Sequence, residues 1–155
     1  MSSKEKYAKY VERVRLFKGL TPREVEDILH CGKIIHFREG QIVFHEGMLG
    51  SNMFIVLSGK VAIYKKRRLI ARCEIGDAFG EMAVLNDRPR SATATAVGDV
   101  KLFTIDDLEL KQVLHRDVGE KLLLNVIHVL SERLENANAH ASALADKVDL
   151  AASLH

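Results

Sequence analysis

Hydrophobic positions change their period twice along the chain, and the changes mark out three zones. In the first, from about Lys4 to His30, the spacing is helical. Thr21-Pro22-Arg23-Glu24 has the form of a helix start, with Thr21 as N-cap, Pro22 at the first helical position and Glu24 at the third. Val25, Ile28 and Leu29 follow at i, i+3 and i+4 and predict a buried face. From Gly32 to Asp106 the pattern becomes short β-type runs, at Lys33–Phe37, Gln41–His45, Met53–Leu57, Lys60–Tyr64, Leu69–Cys73, Ser91–Val97 and Val100–Ile105. Seven of the ten glycines (40, 47, 50, 59, 76, 80 and 98) lie between these runs, as turns require. Many short strands at this spacing predict a sandwich, a jelly roll or a small barrel.

After Asp106 the helical period returns through Leu108, Leu110, Val113 and Leu114, and a long helix is predicted from about Gly119 to Leu150. Leu123, Ile127, Leu130, Leu134, Ala137, Ala141, Leu144, Val148 and Ala151 alternate in steps of four and three, a heptad seam. Two readings of that seam stand side by side: a partner helix covers it, or it packs on the β-zone. The expected organisation is an N-terminal helical segment (1–31), a β-domain (32–106) and C-terminal helices (107–155).

Composition narrows the function. The chain has 155 residues, 47% of them hydrophobic, which suits one domain with one core. A formal net charge of +2 gives no bulk signal for nucleic acid or a membrane surface. Cys31 and Cys73 are too few for a disulfide framework and lack metal-site spacing, so both are expected to be reduced core thiols. The polar start and the lack of an apolar run near the ~18 residues of a membrane span predict a soluble, cytoplasmic protein.

The stretch Gly76 to Thr93 departs most from generic β structure. A short apolar helix opens with Glu81, and the strand after it opens near Arg90. The start of such a helix offers the free N–H groups of Met82 and Ala83 to an anion. Arg90 supplies the counter-charge, because a guanidinium makes bidentate bonds to phosphate oxygens. Glu81 repels a phosphate, so beside one it must accept a donor that the ligand carries; a ribose hydroxyl is such a donor. Phosphate and ribose in one small pocket describe a compact nucleotide.

Phe79-Gly-Glu-Met-Ala-Val-Leu85 followed by Arg88-Pro-Arg-Ser-Ala-Thr93 resembles the phosphate-binding cassette of the cyclic-nucleotide-binding family. That family includes the regulatory subunits of cyclic-AMP-dependent protein kinase, cyclic-nucleotide-gated channels and the bacterial catabolite activator protein. Leu16-Phe-Lys-Gly-Leu20, Val56-Leu-Ser-Gly59 and Ile75-Gly-Asp77 agree with it, and the resemblance covers about residues 14 to 135. It implies an α+β, mainly β fold: an eight-stranded antiparallel β-roll or jelly roll with N-terminal helices, a short phosphate-cassette helix and a long C-terminal helix.

It also implies roles. Glu81 holds the ribose 2′-hydroxyl, and Arg90 with the Met82 and Ala83 amides holds the cyclic phosphate. Gly80 lets the backbone come close, and Ser91 can bond a phosphate oxygen. A serine after the arginine looks like a cyclic-AMP site and a threonine like a cyclic-GMP site, so cyclic AMP is the expected ligand and cyclic GMP the weaker alternative. Val84 departs from the leucine common in the family at the contact with the C-terminal helix. The expected function is a cyclic-nucleotide sensor, without catalysis or cofactor, that transmits binding through movement of the C-terminal helix.

Homodimerisation through that helix is expected; the resemblance to the bacterial activator implies that Asn136 or Asn138 could donate to the purine edge, against the plainer reading of two polar residues on a wet helix face. No helix-turn-helix follows the long helix, so direct DNA binding is not expected, and no motif names a downstream effector. The alternative is a vestigial, non-binding domain acting as a dimerisation module, in which Glu81 merely pairs with Arg90. A metal-dependent cupin reading would need His36, His45 and Glu46 to converge, yet neighbours on a strand point to opposite faces. Cys73 and the seven histidines carry only a faint haem signal, and Lys65–Arg68 reads as a solvated hairpin tip.

Overall fold

The computed structural model describes residues 2–154. Helix α1 (Ser3–Arg13), a 3₁₀ turn (Arg15–Phe17) and α2 (Pro22–His30) lead into strands β1 (Lys33–Phe37), β2 (Ile42–Phe44), β3 (Asn52–Lys65), β4 (Arg68–Cys73) and β5 (Ala78–Phe79). Helix α3 (Glu81–Asn86), strand β6 (Thr93–Asp106), α4 (Asp107–Leu114) and α5 (Gly119–Ser153) complete the order. The start of α2 is built as its sequence predicts: Glu24 N donates to Thr21 Oγ1 at 3.2 Å and Thr21 N to Glu24 Oε1 at 3.0 Å. The same reciprocal bonds between Asp106 and Glu109 start α4.

All strand pairs are antiparallel, in the order β1-β6-β3-β4, with β2 also on β6 and β5 also on β3. The expected runs Met53–Leu57 and Lys60–Tyr64 lie in one 14-residue strand, and Val100–Ile105 and all but the first two residues of Ser91–Val97 lie in another. Gly59 and Gly98 bend these strands without ending them, since the β3–β6 ladder continues through register shifts around Ser58. Gly59 has a φ of +83° and lies so close to β6 that an added Cβ would meet Asp99 O at 2.4 Å. The described residues form six strands where eight were expected, because β3 and β6 each run on past a glycine. Lys66 and Arg67 both have positive φ, which makes the β3–β4 tip a type I′ turn.

The core has two parts. Phe54, Val56, Val61, Phe79, Ala94 and Leu102 fill the roll. Val14, Phe17, Val25, Phe103, Val113 and Leu122 join the helices to the sheet. Helix α5 packs on this second part through buried Leu122 and half-buried Val126 and Val129. Asn125 Nδ2 donates to Leu16 O and Lys18 O, both at 2.8 Å, and Arg15 pairs with Glu132 at 2.6 Å. The packed stripe is therefore not the heptad seam: Leu123, Ile127, Leu134, Leu144 and Val148 are exposed. Leu130 is the exception: it is half-buried and, with Leu123, lines a crevice beneath α5. Residues 134–154 are exposed throughout. No helix among the described residues is long and apolar enough to cross a membrane.

Candidate functional site

Strand β5 is too short to show a period, yet it sets the site. Its pairing with β3 brings Phe79 onto Phe54, rings stacked with centroids 5.3 Å apart. The chain then turns at Gly80, whose φ of +76° is a left-handed conformation that favours glycine, directly into α3. No side chain caps α3, so no cap consumes the N–H groups of its first turn.

Arg90 returns beneath this helix and is only 6% exposed. Its Nη1 donates to Gly80 O at 3.0 Å and its Nη2 to Asn52 O at 2.7 Å. The guanidinium lies over the Phe44 ring, 4.3 Å from its centroid. Burial lowers its pKa from the ordinary arginine value. Among the described residues no carboxylate pairs with it. A buried cation is thus held by two carbonyls and the rings of Phe44 and, at 5.7 Å, Phe54, although desolvating a charge without a counter-ion is unfavourable by several kcal/mol.

Glu81 does not pair with Arg90. Arg133, from α5, donates to Glu81 Oε1 and to Ala78 O, and so joins the long helix to both β5 and α3. The Glu81 side chain is 14% exposed, and its Oε2 accepts no bond from the described residues. Cys73 lies nearby with its thiol pushed up to about 11, chiefly by burial and further by the Asp77 carboxylate, against the opposing charge of Arg133. It is therefore a neutral thiol at physiological pH.

Gly80, Glu81, Met82, Ala83, Arg90 and Ser91 all line one cavity of about 440 Å³, together with Phe44, Ile63, Cys73 and Arg133. That volume lies in the range of roughly 300–1,000 Å³ usual for small-molecule sites. The crevice under α5 holds only about 60 Å³ and is apolar except for Glu81 and Arg133. Asn136 and Asn138 are exposed and lie outside the cavity. His36, His45 and Glu46 do not converge: His36 sits opposite Lys101 on β6, and Glu46 accepts from Lys66 N at 3.1 Å. No group of three or more metal-ligating side chains gathers among the described residues.

Arg133, Phe44 and the Asn52 carbonyl are the contributors that sequence reasoning missed. A signal existed for Arg133: Leu122, Val126 and Val129 form a second apolar stripe on α5, and its next position in steps of four and three is 133. Nothing in sequence pattern marks a backbone carbonyl as an arginine's partner.

A family model described as "Cyclic nucleotide-binding domain" matches residues 34–117. A cAMP-dependent protein kinase regulatory subunit from Mucor circinelloides f. lusitanicus is 30% identical over 137 residues, 86% of this chain and 30% of that protein. The Cyclic AMP receptor protein of Thermus thermophilus is 36% identical over 95 residues, 58% of this chain and 44% of that protein. The crystal structure of Thermus thermophilus Catabolite Activator Protein superposes with a TM-score of 0.76 at 30% identity, covering 84% of this chain and 63% of that one. The chain thus spans less than half the length of these two curated relatives. Cassette, roll and family match agree, and the chain belongs to the cyclic nucleotide-binding domain family.

Proposed function

We propose that this domain is a cyclic-AMP sensor that catalyses nothing and signals through α5. The observation that carries the reading is the buried Arg90 guanidinium, which has no counter-anion and lines the same cavity as the start of α3. One singly charged phosphodiester supplies the missing charge. Arg90 and the Met82 and Ala83 amides hold that phosphate, Gly80 gives it access to the backbone, and the Ser91 hydroxyl adds a bond. Glu81 holds the ribose 2′-hydroxyl through Oε2, the oxygen that Arg133 leaves unbonded.

Transmission follows from Arg133. Any pull of the ligand on Glu81 reaches α5 directly, because one side chain bonds Glu81 and Ala78 O from that helix. A ligand moves such an equilibrium only by its differential affinity for the two arrangements. A coupling of about 1–3 kcal/mol corresponds to a roughly 5- to 150-fold shift in affinity.

The exposed seam on α5 takes the same seam of a second copy, in parallel. Pairing rests on Leu123, Ile127, Leu134, Leu144 and Val148, all exposed in the single chain. Two free thiols and a nucleotide messenger as ligand support a cytoplasmic location.

The ribose assignment separates this reading from a vestigial pocket. Glu81→Ala weakens cyclic AMP by roughly tenfold or more, the effect of deleting a charged acceptor, but weakens 2′-deoxy-cyclic AMP much less. Calorimetry with both ligands checks this, and equal losses reject the role. Cyclic AMP binds more tightly than cyclic GMP, and Ser91→Thr narrows the gap; a wild-type preference for cyclic GMP overturns the reading of Ser91.

A further inference from the structure

The loop between β2 and β3 touches Arg90 at both ends. Gly47 N donates to Arg90 O at 2.7 Å, and Arg90 N donates to Met48 O at 2.9 Å, so the arginine's backbone is strapped in both directions. A few residues on, Asn52 O accepts from Nη2 at 2.7 Å. Between these anchors Gly50 lies against the guanidinium. A Cβ added there would stand 2.9 Å from Nη2, 3.1 Å from Nε and 3.4 Å from Cζ.

The two glycines of this loop serve different needs. Gly47 has a φ of +83° and nothing within 4 Å of an added Cβ, so its backbone conformation is what favours glycine. Gly50 has no positive φ, and alanine would suit its backbone. The three atoms nearest to a side chain added at Gly50 all belong to the arginine head.

An arginine end is ordinarily free to move aside, but this one is confined. Nη1 already rests against the Gly80 backbone, donating to its O at 3.0 Å, so that side is also closed. Phe44 covers one face, and two carbonyl bonds hold the Nη atoms. Any displacement from Gly50 therefore breaks a bond or moves the donors away from the cavity.

We infer that Gly50 is a positioning residue for the anion site: its missing side chain sets where the Arg90 donors sit, from a loop outside the phosphate cassette. The inference rests on the proposed phosphate role of Arg90. It places control of ligand affinity on a second segment, so that substitutions in the β2–β3 loop tune the site without touching ligand.

A double-mutant cycle tests this, with cyclic AMP as the probe. Gly50→Ala weakens binding by roughly tenfold in the otherwise unmodified protein, as expected when a charge-assisted bond is misaligned. In an Arg90→Ala background the same change alters affinity by less than about twofold, because the group it displaces is gone. Equal losses in the two backgrounds, or no loss in either, overturn the inference. A ligand-free readout keeps the two ideas apart. The Arg90 Nε–Hε resonance, assigned by its loss in Arg90→Ala, moves in Gly50→Ala and stays in place in Leu49→Ser, a change at an exposed neighbour. An unmoved resonance in Gly50→Ala rejects the positioning role whatever the ligand. If the resonance moves but Arg90→Ala binds as tightly as the unmodified protein, the phosphate assignment fails instead. Should Gly50→Ala fail to fold, recovery of the fold in the Gly50→Ala, Arg90→Ala double variant supports the collision, and failure of both rejects it.

Discussion

Replacing Arg90 with alanine will weaken cyclic-AMP binding by roughly 30- to 150-fold, about 2–3 kcal/mol, while leaving the fold intact. Both halves of this expectation come from the same burial. The guanidinium is 6% exposed and has two carbonyl acceptors but no carboxylate partner. In the folded protein its removal forfeits two hydrogen bonds of about 1 kcal/mol each and relieves the desolvation of an unpaired charge, effects of opposite sign. Stability therefore changes little. With ligand bound the balance differs, because the phosphate loses its buried, bidentate counter-charge in a partly dry cavity. A titration with cyclic AMP and a thermal melt on the same samples check both parts. Unchanged affinity would sink the phosphate assignment, and collapse of the melt would show that Arg90 is a structural residue.

Leu134→Asp will convert a dimer into a monomer, weakening association by roughly 100-fold or more, because two carboxylates enter an apolar seam without partners. The structure makes Leu134 the clean position. It is 62% exposed in the single chain, so the substitution costs the monomer almost nothing and its whole penalty falls on the pair. Leu130, at the preceding core position of the seam, lines the crevice under α5, and an aspartate there would damage the chain's own packing as well. Alanines at 137, 141 and 151 leave the seam thin, so pairing rests mainly on the leucines and on Ile127 and Val148. Sedimentation at micromolar concentration, with and without nucleotide, reads the result. A monomeric unmodified chain would defeat dimerisation through this helix.

How much of the molecule could be read from its residues depended on distance along the chain. Gly80, Glu81, Met82, Ala83, Arg90 and Ser91 fall within twelve positions, and a turn, a short helix and a strand start suffice to gather them around one cavity. The capped start of α2 was equally local. Arg133 was not, because it meets Glu81 across 52 positions and only the path of α5 over the body brings them together. Strand ends were misplaced for a related reason. Glycines at 59 and 98 look like breaks when each strand is taken alone, but the ladder between β3 and β6 carries the chain past both. Strand β5 went unseen because two residues have no period, and it exists only through its pairing with Phe54 and Ile55.

The seam on α5 shows where pattern and packing part. Heptad spacing suited either a partner helix or the roll, and periodicity alone does not choose between them. Packing does, for one chain: Leu122, Val126 and Val129 face the body, which leaves most of the seam outward. Helices α4 and α5 are joined by a turn at His115–Val118, and hydrophobic spacing does not encode how such a turn orients the helix that follows.

Calorimetric titration of the unmodified chain with cyclic AMP, and with cyclic GMP alongside, tests the central claim most directly. Saturable binding of one cyclic AMP per chain, tighter than cyclic GMP, is the predicted result. Absence of binding to either nucleotide would contradict it and leave the cavity around Arg90 without its anion.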